Sequence, residues 1–288
     1  MNYEQFVHEM ILCTSKKLSK FEKIEKQEVL KNNGEKLIGL VIRKENEKIV
    51  PIIYLEEFYE QYLMGSKIEY LSEQILSQRD RSEFPAHWDY ESMLNFEHVQ
   101  NLIIYRLINF ERNRELLKMI PHLEMADFAI TFYVMIPTEN SDFCSILIRN
   151  EHMNRWEVST SVLYETAKRN TKRLFPKVFS PLMEYMNLPW EFQEGDSPLW
   201  ILTNEMGLHG ASVILYPGML RMIFERLDSG FYLLPSSIHE FLIVPKHLAV
   251  PEAHLREMVQ EVNETQLEPE EFLSDMVYHF DGENITKV

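Results

Sequence analysis

The stretch Pro235-Ser236-Ser237-Ile238-His239-Glu240 brings two hydroxyls, an imidazole and a carboxylate together. These are the groups of nucleophilic hydrolysis or group transfer, in which a base takes the hydroxyl proton and an acid orients the base. Ser236, Ser237, His239 and Glu240 are therefore the candidate catalytic set. Against it, residues adjacent in sequence seldom converge on one another, and the chain holds no Gly-x-Ser-x-Gly elbow. The plain alternative is that the serines bond turn backbone while His239 and Glu240 begin a strand.

Other chemistry-bearing residues are sparser. His209, between Gly207 and Gly210, is either a proton-transfer group or a turn histidine on the surface. The ten histidines contain no His-x-x-x-His pair, His8-Glu9 lacks the second histidine of a zinc-protease motif, and Pro251 separates His247 from His254. Cys13 and Cys144 are too few for a disulfide framework or a four-thiolate site, and read as buried small hydrophobes. The nine glycines are scattered and form no phosphate-binding loop. No metal and no cofactor is expected.

Lys168, Arg169, Lys172, Arg173 and Lys177 are the densest basic patch and the candidate binding residues for phosphate or RNA. Cations near a helix C-terminus are also favourable in themselves, by ~0.3–1 kcal/mol. A formal charge of −16 argues against duplex nucleic acid or an anionic membrane, because such partners are held mainly through neutralised phosphates. From Glu225 onward 13 acids face four Lys/Arg, which suits either a solvated surface or an acidic face for a protein partner. No stretch reaches the ~20 apolar residues of a membrane span. MNYEQFVHEMILCTSKK has no uninterrupted apolar run of a secretory signal, so a reducing, cytoplasmic setting is expected.

The elements that must position these groups centre on residues 198–245. Leu199–Leu202 and Val213–Leu215 read as two antiparallel strands joined across Gly207 and Gly210. Pro217 suits a first helical position, Leu220, Ile223, Phe224 and Leu227 recur at helical spacing, and Gly230 ends that helix. Phe231–Leu234 and Phe241–Val244 are buried strands on either side of the candidate loop.

Upstream, Tyr3, Phe6, Val7 and Met10 mark a helix. Val29-Leu30, Leu37–Ile42 and Ile49–Ile53 read as a meander. Leu55 to Leu76 is a helical hairpin broken at Gly65, and the aromatic residues Tyr54, Phe58, Tyr59 and Tyr62 are core by their spacing. Residues 99–109 are open between helix and strand, and Asp127–Ile136 pairs with Phe143–Ile148. The resulting fold class is α+β, with two lobes of mixed or mainly antiparallel sheets and helices packed on them. Residues 1–120 form the first lobe and 121–288 the second, as the length prior of ~100–200 residues per domain suggests.

IIYRLINFERNRELLKMIPHLEMADFAITFYVMI, LYPGML, YLLPSSIHEFLIVP and EVNETQLEPEEFLSDMVYHFD resemble the signature segments of a domain of unknown function from clostridial Firmicutes. The C-terminal half also resembles, more distantly, the YtpQ-like proteins of the same bacteria. The resemblance implies a bacterial cytoplasmic protein and carries over no catalytic residue. Composition and missing motifs together favour a non-catalytic interaction or regulatory protein. A hydrolase or transferase at residues 235–240 and RNA or phospholigand contact at 168–177 stay open beside it, as do enzymatic activity and oligomeric state.

Overall fold

A computed structural model describes residues 1–45, 47, 50–81, 90–137, 143–189 and 198–288. Helix α1 (Tyr3–Ser15) starts at Asn2, whose side chain accepts the Gln5 amide while Gln5 returns a bond to the Asn2 amide. It lies over a meander of β1 (Glu22–Leu30), β2 (Lys36–Lys44) and β3 (Ile52–Tyr54). Helices α2 (Glu56–Leu63) and α3 (Ile68–Arg81) close the unit. Phe6, Met10, Leu40, Ile53, Leu55, Leu71 and Ile75 form its core, each fully buried aliphatic group contributing ~1.5–3 kcal/mol. Tyr59 and Tyr62 pack on the Phe6 ring at 5.1 and 5.4 Å between centroids, so the aromatic spacing serves core packing.

The chain then runs through α4 (Tyr90–Leu94) and α5 (Phe96–Val99) into β4 (Ile103–Asn109), then α6 (Arg114–Leu117), β5 (His122–Met125), β6 (Phe128–Pro137) and β7 (Phe143–Leu147). The open stretch 99–109 thus divides, its strand starting at Ile103. β6 carries β4 on one edge and β5 and β7 on the other, all antiparallel. A division at 120/121 would part β4 from the β6 strand it pairs with; the apolar packing instead gathers residues 6–75 round one core and a second core from Met93 onward.

Next come α7 (Asn150–Trp156), α8 (Thr160–Leu174), β8 (Lys177–Pro181), α9 (Leu182–Tyr185), β9 (Trp200–Asn204), α10 (Met219–Leu227), β10 (Phe231–Pro235), β11 (Phe241–Pro245), α11 (Glu252–Thr265), β12 (Tyr278–Phe280) and β13 (Ile285–Lys287). They build a six-stranded antiparallel sheet in the order β13-β12-β10-β11-β9-β8. The architecture is α+β, with three antiparallel sheets among the described residues. The two larger sheets share a core in which Tyr105, Phe132 and Val134 meet Trp200, Phe231, Phe241 and Ile243.

The expected strand at Val213–Leu215 is a correction. Gly210–Leu215 is a 3-10 helix, buried at Gly210, Ala211, Ser212 and Val213. Its role explains the departure: β4 has an open edge, and the Ser212 hydroxyl accepts the Leu107 amide at 3.0 Å while Thr171 of α8 accepts the Tyr105 amide at 3.1 Å. Side chains finish the ladder that another strand would otherwise complete. Helix α10 also begins later than Pro217, after Gly218 at φ 76°, and ends at Asp228 in the left-handed region instead of Gly230. β8 and β13, edge strands of the six-stranded sheet, lie outside the expected strands.

A cluster of asparagines joins the meander to the rest. Asn113, only 1 % exposed, accepts the Asn33 amide at 2.8 Å, and its Nδ2 faces Asn109 O, Asn32 Oδ1 and Asn33 Oδ1 at 2.8–3.0 Å. Asn32 Nδ2 donates to Glu270 O at 2.6 Å, and Asn33 Nδ2 reaches Pro269 O and Phe272 O. Asn33 sits at φ 61°, a left-handed backbone that asparagine tolerates better than most residues. Asn113→Ala leaves buried polar groups without partners and is expected to cost about 1–3 kcal/mol. Urea unfolding should show a lower midpoint, with residues 3–81 unfolding ahead of the remainder.

Candidate functional site

The loop between β10 and β11 is closed by its own side chains. Ser237, buried, donates from Oγ to Glu240 Oε1 at 2.9 Å and accepts the His239 amide at 2.9 Å, while its own amide faces Glu240 O at 3.4 Å. Ser236 is half-buried beside it. Ser237 and Glu240 are thus brought together, but as a hydroxyl-capped turn.

His239 points elsewhere. Its Nδ1 accepts the His209 amide at 3.1 Å, so the neutral ring carries its proton on Nε2, which lies 3.4 Å from Glu271 Oε1. Both ring nitrogens are engaged, and among the described residues no hydroxyl bonds to the ring. A general base needs a free lone pair facing its nucleophile. Here that lone pair holds a backbone amide.

The turn after β9 makes this arrangement. Asn204 Oδ1 accepts the Met206 amide at 3.0 Å, and His209 adopts a left-handed backbone at φ 51°. Gly210 then passes so close that an added Cβ would lie 2.1 Å from Thr203 Oγ1 and 2.4 Å from His239 O. Thr203 Oγ1 donates to that same His239 carbonyl at 2.8 Å. Only glycine brings the two loops together.

His209 is held well below the usual histidine range, first by burial and then by the nearby charge of Arg106, with smaller contributions from the His239 ring and Lys31. Its Nδ1 is buried without a hydrogen-bond partner. Arg106 is lowered by burial, opposed only by Tyr133. Its guanidinium lies 4.0 Å above the Tyr133 ring, with Nη2 3.6 Å from Met135 Sδ and Nε buried and unpaired. Lys31 Nζ sits 4.0 Å over the Tyr54 ring. Arg106, Lys31 and Glu271 were not among the sequence candidates. The available signal was one cation inside the apolar run IIYRLI.

The basic patch lies on α8 and just beyond it. Arg169, Lys172, Arg173 and Lys177 are exposed, Lys168 faces Glu165 at 3.5 Å, and Arg173 donates to Asn101 O at 2.8 Å. His247 and His254 are exposed, and His254 lies 3.6 Å from Glu257. Cys13 and Cys144 are free thiols and half-buried, more open than expected. Among the described residues no three of His, Cys, Asp and Glu gather as a metal site, and no helix is long and apolar enough to cross a membrane. A groove of about 660 Å³ opens between α1 and the α2–α3 turn, lined by Gln5, Glu9, Lys16 and Tyr62 among others.

The model of the family of unknown function DUF5688 matches residues 3–282. The chain belongs to that family. No curated protein and no solved structure matches it. The β10–β11 loop, the 205–210 turn and Arg106 of this DUF5688 chain all lie inside the matched span.

Two outcomes check this geometry. Gly210→Ala forces Thr203 and the His239 backbone apart, and a loss of about 1–3 kcal/mol in denaturant unfolding is expected. For His209, the folded pKa lies below the unfolded value of ~6.5, so acid protonates the unfolded chain first. Its stabilising contribution is therefore present above about pH 6.5 and falls as pH drops below it. His209→Asn, which keeps the left-handed turn, should shrink the drop in unfolding midpoint between about pH 7.5 and 5.5. His152 and His279, lowered mainly by burial, leave a residual slope.

Proposed function

We propose that this chain is a cytoplasmic, non-catalytic interaction protein of Firmicutes bacteria that docks a protein partner through an apolar surface beside the central loops. The observation that carries the reading is the exposure of Met183, Tyr185, Met186, Leu188, Met206 and Leu208. The Tyr185 hydroxyl lies over Gly207, so α9 and the 205–208 turn form one surface. Methionine-rich apolar patches adapt to a partner's side chains and recur at protein-binding faces. Glu184 and Glu205 are exposed on the same two segments and the chain carries a charge of −16, which suits a partner segment with apolar anchors and flanking cations.

The candidate loop supports the same reading. Ser237, His239 and Glu240 spend their polar atoms on the turn and on a neighbouring backbone amide, which favours a brace over the hydrolase or transferase alternative. The exposed cations of α8 stand as a solvated helix face, with RNA or phospholigand contact as the competing use.

The test pairs wild type with a Met186→Asp, Leu208→Asp variant, both exposed positions where the fold should tolerate a charge. Reciprocal purification should recover a partner bearing a basic, apolar segment with wild type, and lose it with the variant at an unchanged melting temperature. Recovery of the chain alone, equal capture by both proteins, or turnover in a broad substrate screen would overturn the proposal.

A further inference from the structure

We propose that Arg106 is the anchor of an oxyanion-binding site, for a carboxylate or phosphate group, at the junction of the four-stranded sheet, the β1–β2 turn and the 205–210 turn. The position is unusual for a cation. Arg106 lies on the face of β4 that also presents Ile104 and Ile108, and these belong to apolar clusters with Phe175 and Met135 on one side and Leu116 and Leu117 on the other. A cation removed from water needs a counter-charge, and an uncompensated one costs several kcal/mol.

Among the described residues no carboxylate pairs with it. Its contacts are the Tyr133 ring at 4.0 Å and the Met135 thioether at 3.6 Å, which stabilise a guanidinium without neutralising it. Nε is shut off from water with no acceptor, while the residue as a whole stays partly exposed. A flat fork of N–H donors is the group best matched to the paired oxygens of a carboxylate or phosphate.

The surroundings repeat the same sign. The Leu107 amide is bonded to Ser212, which fixes β4 beside the turn carrying His209. The His209 Nδ1 is buried and unpaired, and its ring is 5.5 Å from that of His239 between centroids. Lys31 enters from the meander, immediately before the asparagines that dock on Asn113. In a chain of charge −16, the charges of Arg106 and Lys31 both act on the enclosed His209 ring. Glu271 is the neighbouring acid and faces His239. A bound oxyanion would supply the missing counter-charge and give His209 an acceptor for a proton on Nδ1.

The test uses the full chain with inorganic phosphate as the probe, acetate as the carboxylate arm, and chloride at matched ionic strength as the control. Wild type should show a saturable rise in melting temperature with phosphate or acetate, whichever is tighter identifying the preferred group. A single arginine Nε–H signal should shift in parallel by nitrogen-15 NMR. Arg106→Met should remove that signal, fold as well as wild type without anion, and weaken binding about 10- to 100-fold, the range for a charged hydrogen bond. Arg106→Lys keeps the charge but loses the fork, and should weaken binding as well. A wild-type chain that responds no more to phosphate or acetate than to chloride, or either variant binding with wild-type affinity, would sink the site. The NMR arm needs only wild type once the Arg106 Nε–H is assigned through bonds to its own backbone, so it decides the matter even if neither variant folds.

Discussion

The structure turns on hydrogen bonds made by asparagine amides where three segments meet. Asn32 and Asn33 arrive from the meander, Asn109 and Asn113 from the end of β4, and the carbonyls of Pro269, Glu270, Phe272 and Leu273 from the segment after α11. An amide side chain both donates and accepts, so a few such residues satisfy backbone groups on several segments at once. Apolar contacts could press these segments together, but would not set their register. Because Asn109 and Asn113 are themselves buried, breaking their bonds leaves polar groups that water reaches poorly.

The same economy runs through the rest of the molecule. Thr171, Ser212 and Asn170 close the open edge of β4, Tyr216 donates to Phe175 O at 2.6 Å, and Thr203 holds the His239 carbonyl. Hydroxyls and amides are used as backbone partners where the chain departs from regular pairing. That habit separates the His239 neighbourhood from a hydrolytic centre: it has an imidazole and a carboxylate in contact, with the remaining lone pair already occupied. Arg106 breaks the habit. It is a half-buried cation that the described acids leave alone.

Much of the fold was legible in the residues. The amphipathic period of α1, the apolar runs of β6, β10 and β11 and the helical hairpin at 55–76 all declare themselves, because each buries one face or both against a core and burial is written in the spacing of apolar side chains. β8 was hidden because its run KVFSP is short and partly polar. Gly210–Leu215 misled because GASVIL looks like a strand. What makes it a 3-10 helix is the demand of a distant strand edge for the Ser212 hydroxyl, together with a glycine pressed against Thr203.

Within the candidate loop, Ser237 and Glu240 form a bonded pair three residues apart. Local sequence decides such turns. The surroundings of His239 were beyond reach, because Glu271 and His209 both lie far along the chain from it. Composition and period determined the fold class, the hydrophobic elements and the net negative charge, since these follow from the residues themselves and their preference for water or core. Only the tertiary structure decided which nitrogens are occupied, which cation lacks a counter-ion and which apolar residues remain outside, because those depend on what the fold places opposite each group.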